Sequence, residues 1–515
     1  MKITNSNERK FGVILQYVQM GISILIQLIY TPIMLKILGD NEYGIYNVSS
    51  SIISYLSLLS LGFGASYLRY YSIYKQNGNG DKIKYLNGMY LSVFIIIGIV
   101  ALIIGLLLSF NVSIFYNDTY SSEDLKIAKI LMIFLSINLA VSFPSSVFVS
   151  YISSQEKFVW QKIINMASTI LAPATSIILL YCGFGSIGMV VTITCISIIV
   201  MIMNIWFCFK KLSMKVSFRK FDFKLFKSIF IFSIFIAMNE IVNQLNLQTD
   251  KIILGKMTSG TIVSIYAVGS NISAMFTQFS TAISNVFSPK VNMIVQKNND
   301  DMDKQLTNLF IKVGRAQWFL LMLTLTGFVF FGQFFISKWA GDGYSNAYYV
   351  ALLIMIPNSI PLCQNIGIEI QRAKNKHQIR SIVYLITAII NVLISVVLVR
   401  LWGEIGAAIG TSLTIIGGPI FFMNIYYQLK LGINVIKFWK SILKSSISFI
   451  IPIIFGVGLM KFYTFKGIID FCLLITLYVV IYAICIGLIG LNSEEKNLIK
   501  SIFIKIFCHK QDKKN

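Results

Sequence analysis

The chain has 515 residues, 56% of them hydrophobic and 13% charged, with a net charge of +23 and a mean hydropathy of +0.74. That balance excludes a water-soluble domain and a disordered chain, and it places the protein in a bilayer. Nucleic acid is not needed to explain the charge, because basic loops beside anionic lipid head groups account for it.

Taken in chain order, nearly uncharged segments recur that are each long enough to cross ~30 Å of hydrocarbon as a helix. They lie near 11–36, 43–66, 85–110, 125–152, 159–182 and 184–208. After a basic stretch come 225–250, 258–287, 310–337, 345–370, 381–400 and 404–427, followed by 441–462 and 467–490. The expectation is an all-α membrane protein of about 14 transmembrane helices with short connections. Strand-like alternation is absent, which excludes a barrel. With the amino terminus inside, 35 of the 44 Lys and Arg fall in inward segments (1–10, 67–84, 153–162, 209–227, 288–315, 371–380, 428–444 and 491–515). The positive-inside rule then puts both termini in the cytoplasm. The first span has no small-residue cleavage site and is expected to serve as its own insertion signal. The tail 494–508 reads as a basic amphipathic segment along the membrane surface.

Part of the beginning returns about 220 residues later. Ile37-Leu38-Gly39 is followed by Ile45-Tyr46-Asn47-Val48-Ser49-Ser50-Ser51-Ile52, and Ile253-Leu254-Gly255 by Ile265-Tyr266-Ala267-Val268-Gly269-Ser270-Asn271-Ile272. Repeats of this kind in a multi-span chain mark transporters whose halves move around a shared site. An even number of spans separates the copies, so the halves share one orientation and relate by a pseudo-two-fold axis along the membrane normal. The expected organisation is a six-helix lobe at 1–208, a basic cytoplasmic linker at 209–224 and a second six-helix lobe at 225–430. Two extra helices at 431–490 and a basic cytoplasmic tail at 491–515 complete it.

Polar groups sit where lipid does not tolerate them. Gln16, Gln19, Ser23, Gln27, Tyr30 and Thr31 share a face of the first span, at ~100° per residue. Glu240, Asn243, Gln244, Gln248 and Lys251 do the same in the seventh, with Asp250 at the stripe's edge. Matched stripes on the first helix of each lobe point to a shared aqueous cavity; helix–helix hydrogen bonding is the competing explanation. Ionisable residues within spans are functional candidates. Glu240, Asp250 and Glu369 are candidates for binding a coupling ion, although Glu369 and Arg372, three apart, are also placed to pair with each other. Arg69, Lys251 and Arg315 are candidates for anion binding, since cations suit phosphate oxygens. The amides Gln27, Asn243 and Gln244 suit sugar hydroxyls.

No catalytic residue, metal site or cofactor is expected. The seven cysteines and two histidines have no metal-ligand spacing. A G-x-x-x-x-G-K-[ST] phosphate loop is absent. The longest outer loop, about 111–124, is far too short for an active-site domain.

The run Asn365-Ile366-Gly367-Ile368-Glu369-Ile370-Gln371-Arg372-Ala373-Lys374-Asn375-Lys376-His377, then Ser381-Ile382-Val383-Tyr384-Leu385, precedes Asn391-Val392-Leu393 and Gly403-Glu404-Ile405-Gly406-Ala407-Ala408-Ile409-Gly410-Thr411. Together with Gly62-Phe63-Gly64 before Arg69, and Asp250-Lys251 before Ile253-Leu254-Gly255, this resembles Wzx-type polysaccharide flippases of the multidrug/oligosaccharidyl-lipid/polysaccharide exporter superfamily. The resemblance covers essentially the whole chain, and the order of the motifs is its strongest part. It implies translocation of an undecaprenyl-diphosphate-linked oligosaccharide repeat unit between the leaflets of a bacterial cytoplasmic membrane, by ion-coupled alternating access, for surface polysaccharide. A polysaccharide polymerase and glycosyltransferases are the implied candidate partners. The related lipid II flippases carry arginine near the start of the first span's cavity face, where this chain has Gln16 and Gln19, which disfavours lipid II as cargo. The rival expectations are a cation-coupled multidrug exporter of the same superfamily and a non-transporting membrane scaffold for polysaccharide enzymes.

Overall fold

Inside hydrocarbon every backbone N–H and C=O must find its partner within the protein, so long apolar runs become helices. A computed structural model describes residues 5–60, 62–219, 222–297, 299–465 and 467–497, and among these there is no strand. Most of the amphipathic tail expected at 494–508 and Lys220 of the linker lie outside the described residues.

Helix α1 (Asn5–Ser54) is two helices joined at Gly39, whose φ of 72° and ψ of 171° turn the chain between the first and second spans. The second span continues through a 3-10 segment, Tyr55–Ser60, and resumes after left-handed Gly62 as α2 (Phe63–Gln76). Then follow α3 (Gly80–Phe110), α4 (Ser122–Ser154), α5 (Phe158–Tyr181) and α6 (Gly185–Trp206). The linker leads to α7 (Phe223–Met257), α8 (Gly260–Lys297), α9 (Met302–Trp339), α10 (Ser345–Cys363) and the short α11 (Ile366–Ala373). Helix α12 (Gln378–Ile415) is again double, broken at Trp402 and Gly403, and a π-type turn around Pro419 leads into α13 (Met423–Lys430). Helices α14 (Val435–Ser446), α15 (Ile450–Phe462) and α16 (Ile468–Cys485) close the described chain. Among the described residues 10 helical stretches are long and apolar enough to cross a membrane. Two of them, Val18–Ser60 and Gln378–Lys430, run 43 and 53 residues through the turns just named.

Helix α3 shows how composition sorts faces. Ile96, Ile99, Ile103, Leu107 and Phe110, spaced by three and four, are exposed and fit lipid. Gly98, Ala101, Gly105 and Ser109 are buried on the other side, where small residues let α4 approach. A Cβ at Gly98 would lie 2.7 Å from the Ala140 carbonyl oxygen.

The chain divides into two compact units, 1–271 with 378–414, and 272–377 with 415–515. In the first unit the connections read as outward gather at one end. Asn41 donates to Asp124, Asn117 to the Thr258 carbonyl, and Lys256 to the Tyr116 carbonyl, while Glu42 accepts from the Ser186 amide and hydroxyl. The two copies of the repeat meet here: a Cβ on Gly44 would lie 1.9 Å from the Gly260 carbonyl oxygen, so only backbone fits. Asn271 donates to Tyr43 across the same contact.

The inward connections of this unit gather at its other end. The Ser217 amide donates to the Lys84 carbonyl, Gln155 to Tyr71, and Tyr151 to the Leu212 carbonyl. The linker is therefore docked as well as basic: Met214 is buried, and Asn87 donates to the Lys215 carbonyl at 2.8 Å while accepting from Tyr67 at 2.6 Å. Both contacts border an aromatic core of Phe63, Tyr67, Tyr71, Tyr90, Phe94 and Tyr151. Asn87→Leu would strand the Tyr67 hydroxyl and free the linker, at a cost of about 2–3 kcal/mol. A lowered melting temperature in detergent, with faster proteolysis within 209–219, is the expected readout; unchanged values would show that the linker docks without Asn87.

The second unit repeats the arrangement at its basic end. Lys374 binds Asp303 and the Leu431 carbonyl, Lys376 donates to the Lys430 carbonyl, and the Asn434 amide donates to Thr307. After α16, Asn492 and Glu495 cap one another reciprocally. Glu495 also grips Arg315 of α9 at 2.7 and 2.8 Å.

Candidate functional site

The most constrained charge in the first unit is Asp250, near the end of the α7 polar stripe and 2% exposed. A carboxylate taken out of water is stable only with hydrogen-bond donors or a cation around it. Three hydroxyls from three helical segments supply the donors. Tyr266 of α8 donates to Oδ2 at 2.6 Å and Thr411, beyond the α12 break, to the same oxygen at 2.7 Å. Ser395, before the break, donates to Oδ1 at 2.9 Å. Asn391, one turn from Ser395, donates to Thr411 at 3.5 Å and accepts from Ser395 at 3.4 Å. Asn391 and Ser395 are themselves 2% and 0% exposed.

No ion pair to Asp250 occurs among the described residues. The cluster therefore offers one negative charge within a shell of oxygen donors (carboxylate, three hydroxyls and an amide) and nothing soft. Hard monovalent cations take such shells, and the hydroxyls equally solvate a protonated carboxyl, so the site suits a proton or a sodium-sized ion. Among the described residues no group of three or more His, Cys, Asp or Glu is placed to hold a metal ion.

The rest of the α7 stripe divides in two. Gln248 accepts from Ser51, and Gln244 joins Ser54 and Ser57, while Thr249 and Tyr55 share a hydrogen bond. This part is bonding between helices, the explanation that competes with a cavity in the sequence. Glu240 and Asn243 are exposed and without a hydrogen-bond partner among the described residues, and Lys251 is half-buried and likewise unpaired. A carboxylate in the middle of a span costs about 2.5–3.5 kcal/mol against lipid, which makes exposed Glu240 a candidate for an aqueous surface. Gln27 is half-buried on α1, Gln16 exposed, and Arg69 exposed on α2.

Two expected residues of the second unit are already engaged. Arg315 is 5% exposed, and besides Glu495 it donates to the Gly490 carbonyl and to Ser441. Its five N–H groups all have acceptors within the unit, so in this conformation it is a structural cation and not an open anion ligand. Glu369 accepts from Ser288 at 2.7 Å and pairs with Arg372 at 2.8 Å, the partner that their spacing of three suggests. Tyr266, Asn391, Ser395 and Thr411 surround Asp250 without being expected to from the sequence; Tyr266 lies in the repeat, Asn391 and Thr411 in the motif runs, and Ser395 is signalled only by its i, i+4 spacing from Asn391.

The architecture is that of a multi-pass, all-α membrane protein. A lipid II flippase, MurJ, in an inward closed conformation superposes with a TM-score of 0.74 at 17% identity, covering 96% of this chain and 100% of that one. The Vibrio cholerae MATE transporter VcmN, in its bent form, gives 0.55 at 12% identity, over 83% of this chain and 98% of its own. The chain belongs to the family described as polysaccharide biosynthesis protein, which matches residues 33–349. It is also 22% identical over 397 residues to the uncharacterized membrane protein EpsK of Bacillus subtilis (strain 168), 73% of this chain and 74% of that protein.

Proposed function

We propose that the protein is a flippase that carries an undecaprenyl-diphosphate-linked oligosaccharide repeat unit from the inner to the outer leaflet of a bacterial cytoplasmic membrane. It crosses the membrane fourteen times with both termini in the cytoplasm, and works by ion-coupled alternating access of two lobes, 1–208 and 225–430. The observation that carries the reading is the extent of the fold. The MurJ fold accounts for 96% of the chain and the MATE fold for 83%, so the flippase leaves far less of the chain unmatched. Membership of a polysaccharide biosynthesis family supports the pathway class and favours a sugar-bearing cargo over a drug.

In this reading Glu240, Asn243 and Gln27 line the aqueous path and bind hydroxyls, while Lys251 and Arg69 neutralise the diphosphate. Asp250 binds the coupling ion within its hydroxyl shell. The Gly44–Gly260 contact lies on the outward side of the first unit. A buried carboxylate with hydroxyl donors but no ion pair among the described residues favours a transporter over a scaffold.

The test is the leaflet distribution of diphosphate-linked oligosaccharide in cells lacking the protein, compared with cells in which it is restored. Precursor trapped on the cytoplasmic face and released by the intact protein supports the flippase. Unchanged precursor with altered drug sensitivity would replace it with the multidrug exporter.

A further inference from the structure

The second unit contains a cavity of about 670 Å³ that the transport reading does not use. It opens between the ends of α8, α9 and α14 and the turn after α16, at the basic end of the unit. Helical spacing explains its lining. Lys290 and Lys297 lie seven apart on one face of α8, Lys312 and Arg315 on one face of α9, and Lys437 begins the facing side of α14. Five cations meet two carboxylates, Glu494 and Glu495, which leaves an excess of three positive charges.

The charges are not equivalent. Glu495 is consumed by Arg315, and Lys437 donates to Asn308 at 3.3 Å. Lys290, Lys297 and Lys312 have no ion-pair partner among the described residues, and Lys312 is half-buried. Between them lie Met293, Ile294 and Leu309. A recess with an apolar wall beside three uncommitted ammonium groups matches a molecule that is anionic at one end and hydrocarbon beyond it. Basic recesses at the inner ends of transmembrane helices are where phosphate-bearing lipid head groups are retained, and the volume falls within the range of sites that enclose small ligands.

We propose that this cavity is a binding site for the phosphate of a membrane lipid, with Lys290, Lys297 and Lys312 as its ligands. Two lipids carry that chemistry: a bilayer phospholipid and a polyprenyl phosphate. The site is separate from the ion cluster at Asp250 and does not depend on what is transported.

The test uses full-length protein in phosphatidylcholine nanodiscs, titrated with dioleoylphosphatidylglycerol, undecaprenyl phosphate or inorganic phosphate. Retention in native mass spectrometry and the shift in unfolding temperature are followed. Saturable retention of either lipid is expected, and which of the two is retained identifies the source. Lys290→Gln/Lys297→Gln/Lys312→Gln is expected to weaken it about tenfold or more. The corresponding triple arginine variant should keep it, as should Lys126→Gln/Lys129→Gln on α4 of the first unit. Equal lipid binding by the triple glutamine variant, or competition by inorganic phosphate at the concentration of the lipid, would overturn the proposal.

Discussion

Asp250→Asn is expected to leave the protein folded and inserted but to slow flipping by about 10- to 100-fold. Asparagine has the same shape, and the hydroxyls of Tyr266, Ser395 and Thr411 rotate to accept as readily as they donate, so the packing survives. The charge is what disappears. A hydrogen bond or ligand to a charged group is worth about 1.5–3 kcal/mol, which sets the range given. Ser395→Ala and Thr411→Val each remove one neutral donor and should fall between wild type and Asp250→Asn. The measurement is the rate at which lipid-linked oligosaccharide reaches the outer leaflet, repeated across sodium concentration and pH. Wild-type transport should depend on one of the two, and the asparagine variant on neither. Full transport by the asparagine variant would end the assignment of Asp250 as the coupling residue.

The second large effect is expected at Arg315, for a reason unrelated to cargo. Arg315 is 5% exposed and its guanidinium is hydrogen-bonded, so Glu495→Ala leaves a buried cation without its counter-charge. Breaking a buried pair from one side costs on the order of 3 kcal/mol, more than removing both partners together. Glu495→Ala should therefore lower the unfolding temperature in detergent more than Arg315→Met/Glu495→Ala does. Equal losses would show that the pair is not coupled. Acid should imitate the single variant. Burial pushes the Glu495 carboxyl up, but its bonds to Arg315 and to the Asn492 turn outweigh this and hold it below its ordinary value of 4.5. A carboxyl with a lowered value in the folded protein contributes stability above 4.5 and loses it as pH falls through the lowered value. Glu495→Gln should lack that acid-dependent step.

Apolar run lengths locate the helices, and in the first unit alternate connections gather at opposite ends. The breaks inside helices are harder to read. Gly39 and Gly403 lie between spans and have short sequence cues, whereas the 3-10 turn at Tyr55–Ser60 lies within an unbroken apolar run. Site residues divide along a physical line. A lone carboxylate in an apolar span announces itself by its solvation cost, so Asp250 and Glu240 stand out. Hydroxyls do not, because Ser and Thr in membrane helices usually bond their own backbone. Arg315 misleads for the same reason that Asp250 does not: its charge is visible, but its partner Glu495 lies 180 residues away.

The contact between Gly44 and Gly260 bears on how quickly the molecule can cycle. Two helices meet there through bare backbone, and the polar links around it, from Asn117 and Lys256 to carbonyls, are ones that water can replace. Under alternating access this seam must part in every turnover. Interlocked leucines would each add about 2 kcal/mol of exposed hydrocarbon to that step. At the point where Gly44 meets Gly260 no side chain intervenes, so that point adds almost none; the apolar cost of parting the copies falls instead on neighbours such as Val48, which packs against Gly255.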